Sequence, residues 1–167
     1  MPTELKGVNA LRKALREFSP DLDQETREEM VGFLKPLIKK ARGFLPSNGD
    51  MPSGFVGTSE AGRFPKYDAS IARRGVGYKL TPTKPNRQGW IQTVSIHNKT
   101  AGGVIYEWAG RKSSSKFVSN LPGTMAGSGK MQGRALFKAY KEDEGKAKVG
   151  VIKALEKAAA KFNAKGI

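Results

Sequence analysis

Cysteine is absent from this 167-residue sequence, and histidine occurs once, at position 97. Disulfides, thiolate metal centres and thiol nucleophiles are therefore excluded, and a metal site built from several imidazoles is impossible. No apolar run approaches the roughly 20 residues that a membrane-spanning helix needs. The first residues lack the basic-then-apolar pattern of a secretory signal, so we expect the chain to be made in the cytoplasm.

Acidic residues are also scarce, with 15 Asp and Glu against 30 Lys and Arg, which leaves a formal net charge of +15. Residues 46–140 hold 14 basic and 4 acidic side chains, and therefore two thirds of the excess. A field of this sign attracts polyanions: nucleic acid, anionic lipid or an acidic protein face. Hydrophobic residues make up 38% of the chain, which is enough for a folded core.

Both ends of the chain carry apolar residues at the three- and four-residue steps of amphipathic helices. A short first helix is predicted by this spacing at Leu5, Val8, Leu11, Leu15 and Phe18. Ser19 then caps a second helix with Pro20 in its first turn, and the interior Pro36 predicts a kink or a break. A C-terminal amphipathic helix is predicted from Lys146 to about Asn163, with its apolar face at Val149, Ile152, Leu155, Ala159 and Phe162.

Two long loops and a small sheet are predicted for the middle of the chain. Glycine and proline punctuate residues 46–75, which we expect to form an arm or loop. Residues 110–133 form a second loop, rich in glycine and serine. Between them, in the sheet region 76–109, apolar residues alternate along 89–98 and again along 104–108, which predicts an antiparallel hairpin.

These elements define an α+β fold with N-terminal helices, a small antiparallel sheet with long Gly-rich loops or arms, and a C-terminal amphipathic helix. Residues 1–45 are the predicted helical segment at one end, and residues 134–167 are the helical segment at the other. The length corresponds to one domain, so we predict a single domain over residues 1–167.

No motif for catalysis or for a cofactor is convincing. Gly123 to Met131 resembles a phosphate-binding loop, but five residues separate Gly123 from Gly129, and Met131 replaces the hydroxyl that would bind magnesium. His97 is expected on the exposed face of a strand, and Glu107 has no second carboxylate nearby for paired acid–base chemistry. We therefore predict no catalytic residue, no metal and no cofactor, and an enzyme is the last of the hypotheses.

A loose basic field with interleaved aromatic residues is the clearest binding feature. Arg73, Arg74, Lys79 and Arg87 lie in it, with Tyr78 among them. Proteins that bind nucleic acid without sequence preference combine cations that follow phosphates with aromatic rings that stack on bases. A non-specific nucleic-acid-binding module therefore stays open as an alternative function, since no helix-turn-helix, zinc finger or RNP-like string is present.

The segment Tyr106-Glu107-Trp108-Ala109-Gly110-Arg111 resembles a signature of the neck or tail-completion family of long-tailed bacteriophages. In that family a glycine-rich loop, a re-entry segment and a C-terminal helix follow the signature. Here the loop corresponds to 112–133, the re-entry to 134–137, and the helix runs through Phe162.

The resemblance implies a non-enzymatic structural protein of the virion, placed at the head–tail connector or tail end in a neck, tail-completion or tail-terminator role. It implies a homo-oligomer, a hexameric ring, with head-closure and tail tube or tail terminator proteins as further partners and no membrane. We expect Glu107, Trp108 and Arg111 at the subunit interface. Packaged double-stranded DNA, without sequence specificity, or an acidic partner would contact four cations: Arg73, Arg74, Lys79 and Arg87.

Overall fold

Helix dominates the computed structural model, which describes residues 7–57, 64–89, 91–112 and 114–165. The described residues form seven α-helices and one antiparallel sheet of two short strands, which confirms the α+β prediction. The helices are α1 (Val8–Phe18), α2 (Pro20–Gly43), α3 (Ala69–Gly75), α4 (Ala101–Trp108), α5 (Lys116–Ser119), α6 (Leu136–Glu142) and α7 (Lys146–Ala164). The strands are β1 (Val76–Lys79) and β2 (Ser95–Asn98).

Helix α2 begins at Pro20, directly after Ser19, as the sequence predicts. A kink or a break was expected at Pro36; α2 continues to Gly43 as one element, so the helix is not broken there. A proline ring inside a helix crowds the carbonyl four residues earlier, here that of Gly32. Gly32 and Pro36 are both exposed, so water can solvate that carbonyl while Leu34 and Leu37 remain buried.

The predicted hairpin of 89–98 with 104–108 is wrong. Strand β2 pairs with β1 instead, next to a hydrogen bond from the Lys99 N–H to the Gly75 carbonyl (3.0 Å). The segment that follows is helix α4. Its buried residues are Gly102, Gly103, Tyr106 and Glu107, which are spaced as on one face of a helix. Gly102 permits this packing, because a Cβ at that position would lie only 2.4 Å from the Lys66 carbonyl oxygen.

The chain divides into two compact units. One, here called the helical unit, consists of Met1–Lys35, Lys79–Ser95 and Lys146–Ile167. The other, called the loop-rich unit, consists of Pro36–Tyr78 and Ile96–Gly145. The single-domain organisation stays a prediction.

Apolar contacts between helices form the core of the helical unit. One cluster joins Val8, Met30, Ala154 and Leu155, against which Val94 and Val151 pack. A second cluster joins Leu15, Leu22 and Ala158, against which Leu11 and Phe162 pack. On the surface, Lys157 and Lys161 of α7 make ion pairs with Glu29 and Glu25 of α2. The apolar stripe predicted for the C-terminal helix is used in part: Leu155 and Phe162 pack in these clusters, whereas Val149 is 49% exposed.

Aromatic rings fill the core of the loop-rich unit. The ring centroids of Phe55 and Tyr67 lie 5.9 Å apart, and those of Tyr67 and Tyr106 lie 6.0 Å apart. The Tyr67 hydroxyl donates to the Pro46 carbonyl (2.9 Å). The described part of the segment 46–75, expected as an arm or loop, thus contributes Phe55 and Tyr67 to this core and ends in helix α3.

Among the residues that the structure describes, no helix is long and apolar enough to cross a membrane. No group of three or more His, Cys, Asp or Glu side chains within these residues is placed to hold a metal ion.

Candidate functional site

The carboxylate of Glu107 binds the start of helix α6. Its Oε2 accepts hydrogen bonds from the N–H groups of Ala135 (2.8 Å) and Leu136 (3.0 Å), and its Oε1 accepts one from Phe137 (2.9 Å). The first N–H groups of a helix have no partner within the helix, and they favour negative charge. Glu107, which is 5% exposed, therefore caps α6 from a position 28 residues earlier in the sequence.

Arg134 forms a second link between the same two segments. This residue is buried, and its Nη1 donates to the carbonyls of Tyr106 (3.2 Å) and Ala109 near the end of α4. Its guanidinium carbon lies 5.9 Å from the centroid of the Tyr106 ring. Burial lowers the pKa of Arg134, and the neighbouring Tyr106 and Glu107 act in the opposite direction. Both ends of the loop 110–133 are thus fastened by buried charged side chains.

Gly133 makes this arrangement possible. A Cβ at position 133 would lie 1.9 Å from the Glu107 Oε1 and 2.6 Å from its Cδ. Any side chain there would displace the carboxylate from the N–H groups that it binds. Neither Gly133 nor Arg134 was predicted as a functional residue, although the pair Gly-Arg before an apolar run is visible in the sequence.

Trp108 and Arg111 lie at the surface beside this buried link. Trp108 is 50% exposed, and the guanidinium carbon of Arg111 lies 4.9 Å from the centroid of its ring. The same carbon lies 5.0 Å from the centroid of Phe137, and the Arg111 Nε donates to the Gln132 carbonyl (2.6 Å). Arg111 is therefore held by three contacts, and it supports one side of a half-exposed tryptophan.

The three residues predicted at the subunit interface have different environments. Trp108 presents apolar surface, and Arg111 is partly accessible next to it. Glu107 is buried, and both of its oxygens are used within the chain. Its structural role is therefore to hold α6, and through α6 the Phe137 ring that contacts Arg111.

Carboxylates are nearly absent from the surface that residues 69–141 contribute. This stretch contains thirteen Lys and Arg residues but only one acidic residue, Glu107, which is buried. Among the thirteen, only Arg134 is buried, so twelve cations are exposed or half-buried with no carboxylate of the stretch beside them. Over 73 residues, the accessible charge is entirely positive.

The four cations predicted to contact DNA or an acidic partner occur as two pairs. Arg73 and Arg74 lie in the last turn of α3 in the loop-rich unit, where the Arg73 Nη2 donates to the Leu45 carbonyl (2.9 Å). Lys79 ends β1, and Arg87 lies in the exposed connection that leads to β2; both belong to the helical unit. All four side chains are exposed.

Comparison of the chain with family models, with curated proteins and with solved structures finds no match. The functional interpretation therefore depends on the residues and contacts described above.

Proposed function

We propose that this chain is a structural virion protein of a tailed phage. In this proposal it forms an oligomeric ring at the head–tail connector or tail end, in a neck, tail-completion or tail-terminator role, and its positive surface faces packaged DNA or an acidic neighbour. The observation that carries the proposal is the charge of residues 69–141, in which twelve cations are exposed or half-buried and the one carboxylate is buried.

The charge supports a partner that is a polyanion. A surface that only kept the protein soluble would intersperse both signs, because that limits self-repulsion. Here the one carboxylate of the stretch is withdrawn into the fold by its bonds to α6. An extended anion next to this surface would relieve the repulsion among its cations.

The contacts of Glu107 connect two of the segments on which the resemblance is based. The signature segment 106–111 and the re-entry segment 134–137 are the two parts of the chain that carry the resemblance. Glu107 and Arg134 join these parts directly through hydrogen bonds to backbone groups. Glu107, Gly133 and Arg134 therefore act together: Glu107 and Arg134 link the two segments, and Gly133 leaves room for the Glu107 carboxylate.

Trp108 is the best candidate for a contact between subunits. Half-exposed tryptophan next to arginine is typical of the residues that dominate binding energy in protein interfaces. Because Arg111 is fixed by Phe137 and by the Gln132 carbonyl, the Trp108 ring is supported before any partner arrives. A pre-organised contact of this kind lowers the entropy cost of association.

Sedimentation of the purified chain over a wide concentration range tests the ring. The wild-type chain should form a discrete oligomer, and Trp108→Ala should weaken its assembly by about 30-fold or more. Phe18→Ala is the matched control, because Phe18 is also exposed, at 57%, but lies in the helical unit. A chain that remains monomeric at all concentrations, or equal effects of the two variants, would contradict the proposal.

The alternative, a non-specific nucleic-acid-binding module, depends on the same positive surface. It predicts a monomer or dimer that binds DNA with a steep dependence on salt concentration. Sedimentation separates the two functions, since only the virion protein needs a ring.

A further inference from the structure

The connection between β1 and β2 forms an ordered, exposed arm, here called the basic arm, residues 79–89. Beyond the strands, the Thr83 N–H donates to the Gln92 carbonyl, and the Gln92 N–H donates to the Thr83 Oγ1, both at 3.0 Å. At the tip, the Gly89 N–H donates to the Asn86 carbonyl (2.9 Å), and Gly89 adopts a φ of +78°. The arm is therefore a loop that is closed by a turn at its tip and held by Thr83 and Gln92 below it.

The base of the arm is anchored within the helical unit. The Arg12 guanidinium, only 1% exposed, donates through Nη1 to the Leu80 carbonyl. On the returning side, Val94 packs against the cluster that contains Val8 and Met30. Because both sides are held at the base, the arm presents its tip in a restricted set of directions.

The tip carries positive charge and almost no apolar surface. Residues 81–89 read Thr-Pro-Thr-Lys-Pro-Asn-Arg-Gln-Gly, and no acidic residue occurs between Asp68 and Glu107. Lys79, Lys84 and Arg87 are exposed, and none of them makes an ion pair with another residue that the structure describes. Ile91, on the returning side, is 37% exposed, whereas residues 81–89 supply cations and polar groups, which are what a phosphate backbone needs.

We propose that the basic arm binds double-stranded DNA by its phosphates. Lys79, Lys84 and Arg87 are exposed and would neutralise phosphates along the duplex. Pro82 and Pro85 lack the N–H groups that a further strand would pair with, so addition of another protein strand to this side is disfavoured. The proposal rests on the proposed function in one respect only, the choice of DNA as the polyanion.

The arm does not distinguish base sequences. Asn86 is a residue type suited to contacting adenine, but its Oδ1 already accepts a hydrogen bond from the Gln88 N–H (2.9 Å). The three cations supply charge contacts to phosphates, which carry no sequence information. The binding constant is then the same for DNA duplexes of unrelated sequence. Its logarithm falls linearly with the logarithm of the salt concentration, and each phosphate contacted adds about 0.9 to the steepness of that slope.

The test is a fluorescence titration of two 30-base-pair duplexes of unrelated sequence across a series of salt concentrations. Lys84→Gln/Arg87→Gln removes two arm cations, and Lys148→Gln/Lys153→Gln removes two exposed cations of α7 in the same unit. The arm variant should reduce the salt slope by about 1.8 and weaken binding at 0.1 M salt by roughly one to two orders of magnitude. The α7 variant should keep the slope close to the wild-type value.

An unchanged slope in the arm variant, equal losses in the two variants, or a preference for one duplex would each overturn the proposal. So would a loss of binding to poly-glutamate that exceeds the loss of binding to DNA, because the arm would then recognise an acidic polypeptide. Circular dichroism shows whether both variants remain folded. Sedimentation of the same samples reports the ring separately, so failure of the arm and failure of the proposed function give different results.

Discussion

The helical unit and the loop-rich unit carry almost the same net charge but are stabilised in different ways. The first holds 15 basic and 8 acidic residues, a net of +7, and the second holds 15 and 7, a net of +8. The helical unit buries leucine, valine and alanine between long helices. The loop-rich unit buries aromatic rings and has several charged and tyrosine side chains that bind backbone groups, a kind of contact that Arg12 makes to the Leu80 carbonyl in the helical unit. The two units therefore have nearly the same net charge although different contacts stabilise them.

Short elements explain this difference. Helices α3 to α6 have seven, eight, four and seven residues, too few to be stable by themselves, and the loops between them expose many backbone groups. Those groups find side-chain partners in the loop-rich unit. The contacts run from Arg42 to the Val76 carbonyl, from Arg73 to Leu45, from Arg134 to Tyr106, from Tyr67 to Pro46, and from Glu107 to the N–H groups of α6.

Glu107→Ala should have the largest effect, because it removes the group on which the loop-rich unit depends most. Three N–H groups at the start of α6 would lose their acceptor, and Arg134 would lose the nearby negative charge. We expect a loss of about 3–5 kcal/mol in the free energy of unfolding, measured in urea. Glu156→Ala, at an exposed position on α7, should change it by less than about 0.5 kcal/mol. Similar losses of unfolding free energy in the two variants would contradict the proposed difference in how the two units are stabilised.

Two glycine-to-alanine substitutions compare the units directly. Gly133→Ala places a Cβ 1.9 Å from the Glu107 carboxylate, which cannot move without losing its bonds, so we expect a loss of about 1–3 kcal/mol. Gly150→Ala places a Cβ 2.3 Å from the Phe33 ring, but that ring is 39% exposed and can turn away. Inside helix α7, alanine is favoured over glycine by about 1 kcal/mol, so this variant should be neutral or slightly more stable. The unfolding temperatures of the two variants test this difference. A larger decrease for Gly150→Ala than for Gly133→Ala would contradict it.

Lys161→Gln should have the smallest effect, confined to the surface of the helical unit. The hydrogen bond from Lys161 is the main reason that the pKa of Glu25 lies below its ordinary value. A carboxyl whose pKa is lowered by folding stabilises the fold above its unfolded pKa, and this contribution is lost as the pH falls through the lowered value. The variant should therefore raise the pKa of Glu25 in an NMR titration without a measurable change in the unfolding midpoint. A Glu25 pKa that does not move would show that the pair is absent in solution.

Periodic parts of the sequence predicted the structure well. The terminal helices appear where their apolar spacing places them, with α1 ending at Phe18, α2 beginning at Pro20 and α7 beginning at Lys146. The spacing located these helices but not every buried position, since α1 leaves Phe18 57% exposed and α7 leaves Val149 49% exposed. Between residues 46 and 135 the pattern was weaker, and the hairpin predicted at 104–108 is helix α4. Five apolar and polar residues in alternation are too few to separate a strand from two turns of helix.

Composition and periodicity by themselves determined the positive charge, the absence of thiol chemistry, the α+β class and the helices at both ends, because these follow from residue counts and local spacing. Only the tertiary structure decided what Glu107 does. In the sequence it was a candidate interface residue beside Trp108, whereas in the fold it is buried and caps α6. The physical reason is that the partners of a buried charge lie about 30 residues away along the chain, and no local pattern records such a contact.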